Sequence, residues 1–210
     1  MRLVTIGDSI TKGTYTAEGQ EAPFSVASPN FAEGLQQKLG FDELINYGVN
    51  GVSISSATTV CPEQAIVKTA KNMESGDIIV LAAGTNDYGT HVPLGKIEDR
   101  TEDTFYGTLY LLYDFLKTER ANAKVFIVKP IRRQNDGANQ AGHTLEDYRN
   151  AIEYRAKEFG LAVIDGYAVP IDPKTEEGRK KHILDGLHPN TEGHALYAET
   201  LYQAIKKYTE

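Results

Sequence analysis

Five short apolar runs recur along this chain, each followed by a stretch long enough to hold a helix or a long polar loop. They read RLVTIG (2–7), LINYG (44–48), DIIVLAAG (77–84), KVFIVKP (124–130) and LAVIDG (161–166). Runs that stay apolar at successive positions suit strands covered on both faces. Their alternation with helical patterns predicts an α/β fold around a parallel sheet. No repeat, linker or low-complexity stretch breaks the series over residues 1–210, so one domain is expected.

The helical segments carry their own boundaries. SPNFAEGLQQKLG predicts a helix with Ser28 as cap, Pro29 in its first turn and Gly40 as its stop. TEDTFYGTLYLLYDFLKTER places Phe105, Leu109, Leu112 and Leu116 on one face. In TLEDYRNAIEYRAKEFG, Thr144 stands three residues before Asp147, as in a capping box. TEGHALYAETLYQAIKKYT is acidic early and basic late, as the helix dipole prefers.

The stretches after the strands are long and polar: 9–26, 49–59, 85–99, 131–142 and 167–190. Ligands of open parallel sheets bind outside the carboxyl ends of the strands, so chemistry is sought there. A net charge of −7 without a basic cluster argues against nucleic acid or an anionic membrane as partner. The single cysteine, Cys61, allows no internal disulfide. It precedes Pro62 with no histidine nearby and is expected to be a small buried hydrophobe, not a nucleophile. MRLVTIGDS lacks the charge pattern and apolar core of a leader, so a cytosolic location is expected, although a chain already stripped of one reads the same.

TIGDSITKGT (5–14) contains two competing sites. Gly7 followed by DSIT and Lys12-Gly13-Thr14 is close to a phosphate loop, but the lysine and glycine are exchanged and TYTAEGQEAP continues as loop. The alternative is Ser9 as a nucleophile at the edge of the sheet, which needs a base to take its proton. LDGLHPN offers Asp185 and His188, spaced so that the carboxylate holds one imidazole nitrogen while the other faces Ser9. Asn86 in AAGTNDYG has an amide able to donate to an oxyanion. Gly51 in NYGVNGVS lacks the Cβ that would keep a backbone N–H from the same oxygen. Each segment alone reads equally well as a turn.

Together these segments resemble the SGNH (GDSL-type) hydrolases. GDSI resembles the family's first block, with Ile10 in place of the common leucine; NGVS resembles the second, GTND the third and DGLH the D-x-x-H of the fifth. The resemblance spans residues 7 to 188. It implies a three-layer α/β/α sandwich on a five-stranded parallel sheet, flavodoxin-like in type. It further implies Ser9, Asp185 and His188 as catalytic residues, with an oxyanion hole from Ser9 N–H, Gly51 N–H and the Asn86 side chain. The implied reaction is hydrolysis of a small-molecule carboxylic ester through an acyl-enzyme, without cofactor or metal.

Asp8, Val52, His91 and Arg132 are candidate substrate contacts, and Tyr15, Phe24 and Arg133 lie in the loops that would shape specificity. Polar loops favour a short acyl group or an acetylated carbohydrate over a triglyceride. Lysophospholipase or thioesterase activity on the same fold is an alternative, as is a non-catalytic carbohydrate-binding module. His182, Asp185 and His188, with His194 nearby, form a weaker rival as a metal site. His143 is expected at the entry of its helix, and the sequence leaves the oligomeric state open.

Overall fold

Strand β1 (Arg2–Gly7) lies inside a parallel sheet, paired on one side with β4 (Glu43–Gly48) and on the other with β5 (Ile78–Ala82). The computed structural model describes residues 1–22 and 25–208. β6 (Lys124–Val128) and β7 (Ala162–Ile164) extend the sheet beyond β5, giving the order β4-β1-β5-β6-β7. Strands β2 (Thr14–Tyr15) and β3 (Ser25–Val26) form a separate small antiparallel pair after β1. The strand order reverses direction between β1 and β5, the switch point at which open sheets form a crevice.

Successive strand residues feed opposite cores. Ile79, Leu81, Val125 and Ile127 pack in one buried cluster with helices α5 (Phe105–Glu119) and α6 (Leu145–Glu158). Ile78, Val80, Phe126 and Val128 pack in the other with α2 (Phe31–Leu39) and α8 (Thr191–Lys206). This two-residue alternation into two cores is the physical content of the unbroken apolar runs, and it makes the molecule an α/β sandwich of three layers.

The expected helices are present, with shifts at their ends. α2 is capped by Asn30 rather than Ser28: its carboxamide accepts from the amides of Ala32 and Glu33, and Glu33 returns a bond to the Asn30 amide. Thr144 and Asp147 form the reciprocal capping box of α6. Short helices lie in stretches that read as loop: α1 (Ser9–Lys12), α4 (Thr85–Gly89) and α7 (Glu176–His182); another, α3 (Ile66–Thr69), follows the Cys61–Pro62 stretch. Among the described residues no helix is long and apolar enough to cross a membrane.

α1 folds tightly onto the strand ends. A Cβ on Gly7 would sit 2.1 Å from Thr11 Oγ1 and 2.2 Å from the Ala82 carbonyl oxygen; one on Gly48 would sit 2.2 Å from the Lys12 nitrogen. Glycine is demanded at both places by contact with backbone. Gly48→Ala is expected to lower the unfolding free energy by about 2 kcal/mol or more, measured by urea denaturation. An unchanged midpoint would mean that α1 does not press on β4.

Candidate active site

The end of β1 builds the site outward from backbone. Asp8 caps α1 by accepting the Ile10 amide at 2.9 Å, which sets Ser9 as the first helical residue. Ser9 Oγ lies 2.9 Å from His188 Nε2, across 179 residues of sequence. His188 comes from the loop between α7 and α8, and its Nδ1 lies 2.8 Å from Asp185 Oδ2. The three-residue offset has a local cause: Asp185 Oδ1 accepts the amides of Leu187 (2.9 Å) and His188 (2.8 Å), bending the chain until the ring meets Oδ2.

These bonds assign the histidine's protons. Burial acts to raise the Asp185 pKa, but the bonds from the His188 ring and amide, the Thr16 hydroxyl and the Leu187 amide hold it well below the usual carboxylate range. An ionised carboxylate only accepts, so Nδ1 carries the hydrogen and the Nε2 of a neutral ring is left to accept from Ser9.

Asn86 opens α4 beside this chain. One hydrogen of its side-chain amide goes to the Val52 carbonyl at 2.8 Å, leaving the other N–H available. Next to it Asp87 is fully buried and accepts the amides of Ile54 and Ser55, each at 2.9 Å. α4 thus grips the loop that carries Gly51 through two consecutive side chains. Among the described residues the amides of Ser9 and Gly51 donate to no protein acceptor. Gly51 has φ +72, and a Cβ there would meet nothing within 4 Å. Glycine serves this left-handed turn, and no protein atom occupies the space a Cβ would fill.

The other candidates fall into different environments. Asp8 and Val52, expected as substrate contacts, are sealed at 1% and 2% exposure; one caps α1 and the other offers its carbonyl to Asn86. Arg132 is engaged elsewhere: its guanidinium donates to the carbonyls of Tyr167 and Val169 and lies over the Tyr167 ring. Arg133 bonds instead to the carbonyl and hydroxyl of Thr85, beside Asn86, at 3.1 and 3.0 Å. His91 is half-buried with φ 59 on the loop after α4. Tyr15 is half-buried on β2, while Phe24 lies outside the described residues.

Cys61 is exposed, contrary to expectation, in a turn that leads into a single 3-10 turn at Pro62–Gln64. The residues of the rival metal cluster do not converge. His182 ends α7, His194 is fully buried on α8 with Nδ1 accepting the Phe31 amide, and no group of three potential ligands occurs among the described residues. His143 immediately precedes the Thr144 cap of α6, its amide bonded to Asn139.

A model of the GDSL-like lipase/acylhydrolase family matches residues 5–196. The chain belongs to that family. It is therefore a hydrolase of the esterase or lipase type. No curated protein matches the sequence. Among solved structures, a Lactobacillus plantarum protein has TM-score 0.84 at 24% identity, with 99% of this chain and 97% of that one covered. The M. smegmatis aryl esterase has TM-score 0.73 at 18% identity, with 98% of each chain covered. A possible lipase from Chitinophaga pinensis has TM-score 0.72 at 20% identity, with 99% and 98% covered. These likenesses establish the shared fold.

Two carboxyls beneath the site carry raised pKa values. Burial pushes Asp8 up to about 6, against the hydrogen bond from the Ile10 amide. Burial pushes Asp87 up to about 7, against the amides of Ile54 and Ser55. Each holds a proton in the folded chain where an unfolded carboxyl, near 3.8, has released it. Their stabilising contributions are full at low pH and fade as pH rises from about 4 to 7. His194, pushed down to about 4 by burial and then by His188, runs the other way: its contribution is lost as pH falls from 6.5 to 4. The readout is therefore a difference. Asp8→Asn keeps an oxygen for the Ile10 amide and is expected to gain stability relative to the unsubstituted protein between pH 4 and 7. A pH-independent difference in urea midpoint would show that Asp8 titrates normally.

Proposed function

We propose that this hydrolase cleaves short-chain carboxylic esters, an acetylated carbohydrate among them, through an acyl-enzyme on Ser9. The observation that carries the reading is the unbroken chain from Ser9 Oγ to His188 Nε2 at 2.9 Å and from His188 Nδ1 to Asp185 at 2.8 Å. His188 takes the Ser9 proton as Oγ attacks the carbonyl carbon, then returns it to the departing alcohol. Water, deprotonated by the same ring, releases the acid and restores Ser9. Asp185 keeps the ring in the required tautomer and stabilises the imidazolium. The amides of Ser9 and Gly51 and the free N–H of Asn86 receive the oxyanion.

The preference for a polar substrate is supported by a groove of about 710 Å³ bordering Thr16, which bonds Asp185. Its walls include Tyr15, Thr16, Glu18, Lys180 and Lys181, side chains better suited to a hydroxylated alcohol than to a hydrocarbon tail. The family match over 5–196 and two cores on the faces of one sheet support a single hydrolase domain spanning 1–210. A cytosolic site of action belongs to the same proposal, and the exposed thiol of Cys61 is compatible with a reducing compartment.

A p-nitrophenyl ester series of increasing chain length, followed by acetate release from acetylated sugars, tests the reading. Turnover is expected to be fastest with acetyl and to vanish in Ser9→Ala. Asn86→Ala is expected to lower kcat at least about a hundredfold, because one oxyanion donor is worth about 3–4 kcal/mol. Asp185→Asn is expected to lose at least as much, since the wrong histidine tautomer then predominates. Full turnover in Asn86→Ala would remove that side chain from the mechanism.

A further inference from the structure

Asp185 is held by more than its own turn. Its carboxylate has room for about four hydrogen bonds, and four donors occupy it. Oδ1 takes the amides of Leu187 and His188; Oδ2 takes the His188 ring and, at 2.7 Å, the hydroxyl of Thr16. The fourth donor alone comes from a distant part of the chain. Thr16 follows β2, is 7% exposed, and reaches Asp185 across 169 residues.

We infer that Thr16 is a positioning residue of the Ser9–His188–Asp185 chain: its hydroxyl fixes the rotation of the Asp185 carboxylate and tempers its pull on the histidine. The inference rests on the proposed acyl-enzyme reading and adds a residue that the D-x-x-H spacing does not contain. Without the Thr16 hydroxyl, Oδ2 loses its one hydrogen bond from outside the Asp185–His188 turn, and the carboxylate gains freedom to turn. Two effects follow. The imidazole is aimed at Ser9 less consistently, which lowers kcat. The carboxylate also concentrates more charge on its bond to His188, which favours the imidazolium and carries its loss to higher pH.

The test compares the unsubstituted protein with Thr16→Val and Thr16→Ser, using p-nitrophenyl acetate from pH 5 to 9 and circular dichroism to confirm folding. Thr16→Val is expected to lower kcat about tenfold with little change in KM, and to move the acid limb of kcat/KM to higher pH. Thr16→Ser, which keeps the hydroxyl, is expected to restore both. An unmoved acid limb in a folded Thr16→Val, or equal losses in the valine and serine variants, overturns the assignment and leaves Thr16 with a packing role. Ser9→Ala is run alongside: if it hydrolyses the ester as fast as the unsubstituted protein, the nucleophile reading fails, and the role of Thr16 fails with it.

Discussion

One 2.9 Å contact, Ser9 Oγ to His188 Nε2, joins the end of the first strand to the loop before the last helix, and the surrounding architecture is arranged to hold its two ends still. At the first end, Gly7 and Gly48 let α1 settle against the strand tips, and Asp8 caps it so that Ser9 opens the helix at the switch point. At the second end, Asp185 bends its own loop with two amide bonds, and Asn190 caps α8 immediately beyond. A displacement of about 1 Å at either end would break the proton path proposed above, and the local bonding concentrated here resists it.

That concentration has a cost in stability. Asp8 and Asp87 are sealed carboxyls at the functional edge, and burial raises both. Replacement by apolar residues would relieve the burial but release α1 in one case and the Gly51 loop in the other. Buried groups of this kind persist where geometry matters more than the last increment of stability.

The strands were legible because they are buried on both faces, so their composition carries the signal without help from context. Their ends were less so: DIIVLAAG reads as strand to Gly84, whereas pairing stops at Ala82 because the chain must turn into α4. α1 and α7 escape sequence reading for different reasons. The four residues of α1 are too few to show a period, and its conformation depends on the Asp8 cap and on contact with Gly48. α7 buries none of its residues, so no apolar stripe marks it. Ser28 yields to Asn30 as a cap because only the latter completes the exchange with Glu33. At the site, the residues of the four blocks come from compact patterns and are brought to one edge. Asp87 and Thr16 had no pattern to announce them, since one resembled a turn former and the other a loop hydroxyl. Arg132 and Arg133 are neighbours in an extended segment with different bonding partners, a distinction that appears only once the backbone is traced.

The central claim is that Ser9, and no other hydroxyl or thiol, is activated. Labelling the folded protein with a fluorophosphonate and locating the adduct by peptide mass spectrometry tests it directly. The account predicts one adduct, on the peptide containing Ser9, lost in His188→Ala while Ser9 is still present. An unlabelled Ser9, or an adduct on another residue such as Cys61, would contradict it.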